Sequence, residues 1–201
     1  MKVTLFGAGG KVGSVLGPAL EAAGHELVDL SEAEAMVDFT SPEVVIDNVK
    51  RALDAGVPCV VGTSGWDTDE VAAKAEEAGL SVFYAPNFAL GAVLMMRFAA
   101  EAAKHLQRAE IVELHHETKV DAPSGTAKAT AEGMGGNVPI HSVRLPGIVA
   151  HQEVLLSEPG ELLTIRHDAF SREAYVPGVL LALERLRTLP PGLTQGLDTL
   201  L

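Results

Sequence analysis

The sequence predicts an α/β fold in which a parallel sheet covered by helices is joined to a smaller α+β section. Up to residue 85, short β-type runs alternate with segments whose apolar residues recur at helical spacing. This alternation is typical of parallel strands joined by crossover helices. Beyond residue 88, one long helix is followed by a run of strands, and a helix returns only near the end of the chain.

Turn and capping residues divide the first section into five strands and three helices. Gly24 stops the first helix, and the second begins with Ser41 as N-cap and Pro42 in its first turn. Asp67 or Thr68 caps the third helix. The predicted strands cover residues 2–7, 26–30, 36–39, 57–61 and 81–85, and the predicted helices cover residues 15–23 and 42–55 and a third segment ending at residue 78.

The second section lacks this regular alternation. We expect helices at residues 92–106 and 126–133, and strands at residues 109–115, 142–145, 152–157 and 161–168. A helix returns at residues 177–187. The break at Pro190-Pro191-Gly192 then precedes what we interpret as a short polar tail.

Composition and charge exclude several classes of protein. No apolar run approaches the roughly 18 residues of a membrane span, and Met1 leads directly into a strand rather than a signal peptide. We therefore expect a cytoplasmic protein with no membrane partner. The formal net charge of −12 would repel a phosphate backbone, so nucleic acid is not an expected partner. Any site for a small anion must then be locally basic. The single cysteine, Cys59, lies in a predicted buried strand and can form no intrachain disulfide.

A glycine-rich turn follows the first predicted strand and opens the first helix. Backbone N–H groups at such a position, together with the helix dipole, can hold a pyrophosphate. The match to G-x-G-x-x-G is imperfect, because the sixth position is Val12, whereas Gly7, Gly10 and Gly13 are evenly spaced. A glycine-rich turn without a ligand is the alternative interpretation. The candidate cofactor-binding residues of this Rossmann-type turn are Gly7, Ala8, Gly9, Gly10, Lys11 and Val12.

Two further loops follow the fourth and fifth strands and should line the same crevice. Their small and hydroxyl side chains would let a nicotinamide and its ribose approach the backbone, although the same composition occurs in ordinary turns. The candidate cofactor-binding residues in these loops are Gly62, Thr63, Ser64, Ala85, Pro86, Asn87 and Phe88.

The choice between NADH and NADPH depends on two opposite charges. Asp29 ends the second strand, about 20 residues past the glycine turn, where an acidic group accepts hydrogen bonds from the adenosine ribose and repels a 2′-phosphate. Lys11 would attract that phosphate, while the short segment after the second strand supplies Glu32 and Glu34 but no Arg. The sequence thus predicts that both nucleotides serve, with a mild preference for NADH.

The densest group of reactive side chains lies between Glu113 and Ala127. His115 and His116 are followed by Lys119 and by Ser124-Gly125-Thr126 at a predicted helix start. The hydroxyls and N–H groups of that helix start suit a carboxylate. Adjacent residues of a strand point to opposite sides, so joint metal ligation by the two histidines is disfavoured, and we expect no metal. The alternative is a polar loop with surface histidines.

The same residues resemble a known family, dihydrodipicolinate reductase. Its E-x-H-H-x-x-K-x-D-A-P-S-G-T-A run is matched without interruption from Glu113 to Ala127. Ser64 stands where a second Thr is usual, and the chain is shorter than most members after the second strand and around residues 133–137. Further matches occur at residues 7–13, 37–42, 62–65, 85–91, 147–149, 151 and 167–172.

The resemblance implies a domain organisation and a reaction. Residues 1–88 and 176–201 would form the dinucleotide-binding domain, and residues 89–175 a substrate-binding domain whose open sheet pairs subunits into a homotetramer. The enzyme would use NADH or NADPH to reduce a cyclic dicarboxylate in the diaminopimelate route to lysine. His115 would be the proton donor and Lys119 a catalytic cation. The carboxylates would be bound by His116, Ser124, Gly125, Thr126 and Arg172.

Two other functions remain open at this point. Another two-domain dehydrogenase acting on an amino-acid-derived acid, such as an aspartate dehydrogenase, would need the same dinucleotide fold. A nicotinamide-sensing regulator could keep the glycine turn, but it would not require His115 and Lys119.

Overall fold

The computed structural model describes every residue from Met1 to Leu201. The chain forms two compact units, one made of Met1–Phe88 with Tyr175–Leu201 and the other of Ala89–Ala174. The predicted fold class is confirmed, because the first unit contains a parallel sheet with helices and the second a smaller mixed sheet. No helix has the length and apolar character that crossing a membrane requires.

Ten strands and six α-helices make up the fold. The strands are β1 (Lys2–Phe6), β2 (Glu26–Leu27), β3 (Ala35–Asp38), β4 (Cys59–Val61), β5 (Ser81–Tyr84), β6 (Arg108–His115), β7 (Ile140–Arg144), β8 (Ala150–Glu158), β9 (Glu161–Ala169) and β10 (Gly192–Gln195). The helices are α1 (Gly13–Ala22), α2 (Pro42–Asp54), α3 (Asp69–Ala78), α4 (Leu90–Ala102), α5 (Gly125–Gly133) and α6 (Val176–Arg185).

The first unit is built on a six-stranded sheet with the order β10-β5-β4-β3-β1-β2, in which all neighbours are parallel. β3 and β4 are buried along their whole length, as expected for central strands covered on both faces. The chain leaves β1 towards β2 and returns on the other side of β1 as β3. Ligands of open α/β sheets bind where the strand order switches in this way, so the turn after β1 and the segment after β3 define the expected crevice.

Cys59 lies in this buried core and behaves as a structural residue. Its side chain is fully buried in β4, and burial together with the nearby charge of Asp38 raises the pKa of the thiol. The thiol is therefore held protonated and unreactive.

The polar tail predicted after the Pro190-Pro191 break is wrong, because this segment returns to the sheet. Residues 192–195 form β10, which pairs in parallel with β5 from Gly192 opposite Ser81. The hydroxyl of Ser81 donates to the carbonyl oxygens of Leu189 and Pro190, at 2.9 and 3.0 Å, and anchors the break. Leu197, in the final 3-10 helix, is buried.

Other differences concern the ends of elements. The second strand stops at Leu27, because the chain turns into a 3-10 helix at Leu30–Glu32. The long helix runs from Leu90 to Ala102 rather than over residues 92–106, and the last helix continues as a 3-10 turn after Arg185. Ser41 occupies the N-cap of α2 without a side-chain cap hydrogen bond.

The second unit contains a four-stranded sheet with the order β7-β6-β8-β9. β6 runs parallel to β7 and antiparallel to β8, with His115 opposite both Arg144 and Ala150. α4 and α5 cover one face and enclose a core that includes Met95, Ile111 and Val154. The carboxyl end of β6 and the start of α5 therefore meet at the segment that carries the reactive side chains.

Candidate active site

The glycine turn after β1 is packed so closely that two of its glycines cannot carry a side chain. A Cβ on Gly7, which has φ +87°, would lie 2.3 Å from the carbonyl oxygen of Phe39. A Cβ on Gly13 would lie 2.0 Å from the carbonyl oxygen of Gly7. The same oxygen accepts a hydrogen bond from the N–H of Gly10 at 2.8 Å. The turn thus holds β1, the segment after β3 and α1 together through backbone contacts.

The same turn presents backbone donors to solvent. The N–H groups of Ala8, Gly9, Lys11 and Val12 donate to no acceptor in the protein, and the first turn of α1 carries no acidic side chain. Free N–H groups and a helix N-terminus together favour an anion. These residues therefore fit the pyrophosphate of a nicotinamide dinucleotide, which is the role predicted for them.

A buried carboxylate fixes the two loops on the other side of the switch point. Asp38 is fully buried and accepts from the backbone N–H and the hydroxyl of Thr40, at 3.0 and 2.7 Å, and from the hydroxyl of Thr63 at 2.7 Å. The amide of Asn48 donates to its other oxygen at 2.9 Å. Asp38 was not among the predicted site residues, although a lone acidic side chain in an apolar strand is a signal that could have found it.

The loop after β4 is held in place by this network and by aromatic side chains. A Cβ on Gly62 would lie 2.2 Å from the ring of Phe39, and the indole N–H of Trp66 donates to the carbonyl oxygen of Thr63 at 2.7 Å. Thr63 is buried with its hydroxyl committed to Asp38, whereas Ser64 is exposed. Within this loop, Ser64 therefore presents the accessible side chain.

The loop after β5 divides in the same way between core and surface. Ala85 and Phe88 are buried, and the ring of Phe88 packs against the rings of Phe39 and Phe83, with centroids 5.5 and 6.0 Å away. The side chain of Phe88 therefore belongs to the core. Pro86 is exposed and Asn87 is partly buried.

Of the charged side chains expected to select the nucleotide, some are free in the structure and others are bound within the protein. Asp29 is exposed just beyond β2, and its carboxylate makes no hydrogen bond, while Lys11 is exposed in the glycine turn. Glu32 and Glu34 are bound instead at the amino end of β1, to the ammonium and the backbone N–H of Lys2 respectively, and Glu34 also binds Arg187. Asp29 is thus the acidic side chain that follows β2 at the edge of the sheet where the glycine turn lies.

In the second unit, Glu113 is the centre of the polar group at the end of β6. Its side chain is fully buried, and Arg144 on β7 donates to both carboxylate oxygens, at 2.9 and 2.8 Å. The Nδ1 atom of His115 lies 2.5 Å from Oε2, and the N–H of Ser124 donates to Oε1 at 3.2 Å. Burial alone would raise the pKa of Glu113, but hydrogen bonds from Arg144, Ser142 and His115 outweigh it and lower the pKa to about 2.

The state of His115 follows from this contact. Because ionised Glu113 can only accept, Nδ1 of His115 carries the hydrogen and Nε2 is the nitrogen that exchanges a proton with a ligand. Burial lowers the pKa of His115, with Glu113 opposing the shift and Lys119 and Arg144 adding to it. The imidazolium of His115 in the free protein is therefore a stronger acid than that of an ordinary histidine.

Arg144 also organises the loop that carries Lys119. It donates to the carbonyl oxygen of Asp121 at 2.7 Å, and the carboxylate of Asp121 accepts from the ammonium of Lys119 at 2.7 Å. Neither Glu113 nor Arg144 was assigned a role from the sequence. Their pairing appears only in the folded sheet, where Ser142 lies opposite Glu113 and Arg144, which is opposite His115, reaches back to the Glu113 carboxylate.

The predicted carboxylate seat at α5 is partly used by the fold itself. Ser124 is buried, its hydroxyl oxygen accepts from the N–H of Ala127 at 3.2 Å, and its own N–H is bound to Glu113. Gly125 is exposed and its N–H has no acceptor. Thr126 follows it in the first turn of α5. Gly125 is thus the exposed residue of this helix start, and Ser124 is the residue that anchors it.

Two predicted ligands lie outside this network. His116 contacts the hydroxyl of Thr118 through Nδ1 at 2.8 Å, and it does not share the Glu113 contact of His115. Arg172 lies in a short 3-10 helix and forms no ion pair or hydrogen bond with the Glu113 group. No group of three or more His, Cys, Asp or Glu side chains is arranged to hold a metal ion.

These features define a class of protein, the dinucleotide-dependent oxidoreductases. The parallel sheet has a turn with free N–H groups at its switch point, and in the second unit the imidazole of His115 lies beside a carboxylate that is bound by Arg144 and by the start of α5.

Comparison with known proteins identifies the family within that class. Residues 25–88 match the family "Dihydrodipicolinate reductase, N-terminus" and residues 91–201 match "Dihydrodipicolinate reductase, C-terminus". The chain is 45% identical to the 4-hydroxy-tetrahydrodipicolinate reductase of Mycolicibacterium vanbaalenii and 44% identical to that of Mycolicibacterium smegmatis, with 100% of this chain and 99% of each relative covered. The chain belongs to the dihydrodipicolinate reductase family.

Solved structures agree with this assignment. A dipicolinate-bound dihydrodipicolinate reductase from Paenisporosarcina sp. TG-14 superposes with a TM-score of 0.85 at 29% identity, covering 100% of this chain and 99% of that one. An aspartate dehydrogenase from Thermotoga maritima reaches a TM-score of 0.53 at 14% identity, over 92% of this chain and 96% of that one. The second likeness shows a shared fold alone.

We predict that Gly13→Ala displaces the glycine turn, because the added methyl would meet the carbonyl of Gly7. Overpacking of this kind costs about 1–3 kcal/mol, and NADH affinity should fall about tenfold or more with it. Thermal unfolding and a fluorescence titration with NADH measure the two effects. Gly9→Ala is the control for stability, since nothing lies within 4 Å of its Cβ position. Unchanged unfolding and NADH binding in Gly13→Ala would contradict this account.

Proposed function

We infer that the chain catalyses the reaction of its family, the nicotinamide-dependent reduction of 4-hydroxy-tetrahydrodipicolinate to tetrahydrodipicolinate in the diaminopimelate route to lysine. The observation that carries this proposal is the group around Glu113, which places an acidic imidazole and an ammonium beside the exposed start of α5. The relatives at 45 and 44% identity bear the name of this reductase, and the Paenisporosarcina enzyme binds dipicolinate, a planar cyclic dicarboxylate.

The substrate carboxylates are bound by a small set of positive side chains and polar donors on a chain of net charge −12. Lys119 and His116 come from the loop after β6, and the backbone and hydroxyl donors come from Gly125, Thr126 and the anchored Ser124. Arg172 is proposed as a further ligand on the basis of its place in the family pattern. Charge-assisted hydrogen bonds of about 1.5–3 kcal/mol each give such a site its affinity.

Conversion of the 4-hydroxy substrate to tetrahydrodipicolinate requires loss of the hydroxyl group as water and addition of a hydride and a proton to the unsaturated ring. The nicotinamide would supply the hydride when bound. Nε2 of His115 gives the proton to the adjacent ring carbon, while Glu113 keeps the other ring nitrogen protonated. Lys119 stabilises the negative charge that develops on the substrate during the transfer. A negatively charged substrate raises the pKa of His115, so binding itself loads the acid with its proton.

We also propose that the enzyme is a cytoplasmic homotetramer. The side of the second sheet that α4 and α5 leave uncovered carries Leu162, which is 64% exposed, and an ion pair between Glu153 and Arg166. Such a surface is suited to pairing between copies of the chain. Light scattering of the purified protein tests the proposed assembly.

The decisive experiment follows NAD(P)H absorbance with enzymatically generated 4-hydroxy-tetrahydrodipicolinate. We expect oxidation of the nucleotide that depends on this substrate. Oxaloacetate with ammonia, offered in the same assay, tests the alternative of an aspartate dehydrogenase. Tight nucleotide binding without oxidation in the presence of either substrate would instead indicate a nicotinamide sensor.

We predict that His115→Gln lowers kcat by about 10²–10⁴-fold with a much smaller change in KM, because a proton donor acts in the transition state. In the unmodified enzyme, kcat/KM should fall as pH rises through the lowered pKa of free His115, below 6.5. The fall of kcat should occur at higher pH than the fall of kcat/KM, since bound substrate raises the pKa of His115. His116→Gln, the matched control, should mainly raise KM. Near-normal turnover in His115→Gln at neutral pH would refute the assignment.

Lys119→Ala should weaken competitive inhibition by pyridine-2,6-dicarboxylate about tenfold or more, because one charge-assisted hydrogen bond to a carboxylate is lost. The inhibition constant against the substrate is the quantity to measure. Lys104→Ala removes an exposed ammonium that pairs with Glu101 at the end of α4, and it serves as the control. Equal inhibition of the unmodified enzyme and Lys119→Ala would place Lys119 outside the substrate site.

The enzyme should use both NADH and NADPH, with a mild preference for NADH. The free carboxylate of Asp29 repels a 2′-phosphate, and exposed Lys11 attracts it only weakly, because solvent screens it over a Debye length of about 8–10 Å. The ratio of kcat/KM for the two nucleotides should therefore shift further towards NADH in Lys11→Ala and with added salt. A preference for NADPH of about a hundredfold, or 2.7 kcal/mol, would overturn this interpretation of Asp29.

A further inference from the structure

We propose that Glu113 and Arg144 form a hydrogen-bonded pair of positioning residues, which sets the protonation of His115 and joins that acid to the carboxylate seat of α5. This inference rests on the proposed function, because it assigns His115 a role in catalysis. Neither Glu113 nor Arg144 is available to touch the substrate, so their effect has to pass through the groups they hold.

The hydrogen bonds of Glu113 show that it is fully committed to the protein. Oε1 accepts from Arg144 Nη2 and from the N–H of Ser124, and Oε2 accepts from Arg144 Nη1 and lies against Nδ1 of His115. Together with the hydrogen bond from Ser142, these contacts occupy the lone pairs that a carboxylate offers. With no exposed surface, Glu113 can neither bind a substrate cation nor deliver a proton to solvent.

Arg144 is committed in the same way. Its Nη1 donates to Glu113 and to the carbonyl oxygen of Val143, and its Nη2 donates to Glu113 and to the carbonyl oxygen of Asp121. These four bonds use the four Nη hydrogens of the guanidinium. An arginine that binds a substrate carboxylate needs its Nη hydrogens free. Arg144 therefore holds the site together and is not a further ligand of the substrate carboxylates.

The pair therefore connects three groups of the proposed site. Through Glu113 it holds Nδ1 of His115, and through the same carboxylate it holds the N–H of Ser124 at the start of α5. Through the carbonyl of Asp121, Arg144 holds the residue whose side chain binds Lys119. A change in the pair should consequently alter both the acid, which is seen in kcat and its pH dependence, and the carboxylate seat, which is seen in KM.

The electrostatic effect on His115 has a definite sign. The carboxylate of Glu113 favours the imidazolium, while Arg144 and Lys119 oppose it. Removing the carboxylate charge must lower the pKa of His115. Because Gln can donate its amide N–H to Nδ1, the same change would also place the hydrogen of neutral His115 on the wrong nitrogen.

The experiment compares Glu113→Gln, the double variant Glu113→Gln/Arg144→Met and the control Glu110→Gln. Glu110 is a well-matched control, because it also lies on β6 and pairs with a β7 side chain, His141, at 2.8 Å, but on the exposed surface. The double variant removes both charges together, so that neither is left buried without its partner. For each protein we would measure kcat, KM, the pH profile of kcat/KM, the pKa of His115 by NMR titration of its ring, and thermal unfolding.

Glu113→Gln should lose kcat on the order of 100-fold, as expected when the partner that orients a catalytic histidine is removed. Its KM should rise, and both the alkaline limb of kcat/KM and the NMR pKa of His115 should move to lower pH. The double variant should regain much of the thermal stability but keep the low kcat and the lowered pKa. Glu110→Gln, on the sheet face proposed for pairing between subunits, should leave the pH profile and the pKa of His115 unchanged.

Two results would overturn the inference. One is a double variant with normal kcat and a normal pH profile, since the pair would then serve stability alone. The other is an unchanged His115 pKa in a folded Glu113→Gln protein. Failure of the proposed function is recognised separately, because an unmodified enzyme without reductase activity would still report the coupling of Glu113 to His115 by NMR.

Discussion

A carboxylate that is removed from water must receive all of its hydrogen bonds from the protein, and the polar group of the second unit is arranged around one such case. Glu113 has no exposed surface, and its donors come from β6, β7 and the start of α5. A buried charge without these partners would cost several kcal/mol, so the relative placement of the three elements is strongly constrained. The positions of His115, the start of α5 and the loop that carries Lys119 therefore all depend on Glu113 and its partner Arg144. The pKa of about 2 expresses the same fact, since the ionised form is the only one that satisfies every donor.

The first unit also contains a buried carboxylate whose hydrogen bonds all come from the protein. Asp38, at the end of β3, is also fully buried and accepts from Thr40, Thr63 and Asn48. It fixes the loops that follow β3 and β4, while Gly7 and Gly62 let the Phe39 segment pack without a gap against the neighbouring turns. In each unit a buried acid at the carboxyl end of a strand holds loops that would otherwise be mobile. Loops that bind a ligand lose less conformational entropy when they are already ordered, and this favours affinity.

The sequence predicted the architecture better than it predicted which buried residues hold each site together. Alternating strand and helix patterns predicted the parallel sheet, because periodicity is a local property. β10 was missed, because only its pairing with β5 reveals that a short segment after two prolines is a strand. The reactive residues of the segment from Glu113 to Thr126 could be recognised from their chemistry. Arg144 could not, since it lies 31 positions from Glu113 and becomes its partner only through the register of β6 and β7. Thr63 and Phe88 were predicted to bind the cofactor, and because their side chains are buried, that prediction now concerns their backbone.

Charge balance explains how a strongly acidic chain can hold a dicarboxylate and still offer it a proton. Of the cations near the end of β6, Arg144 is neutralised by Glu113, and Lys119 is held by Asp121, an exposed acid that solvent can replace as partner. In the free site, both cations are therefore paired with a carboxylate. On the proposed assignment of His115, a bound dianion would favour the imidazolium, which burial, Lys119 and Arg144 disfavour in the free protein. Proton uptake would then be linked to substrate binding, and the proposed acid would become charged at the stage of the cycle in which its proton is used.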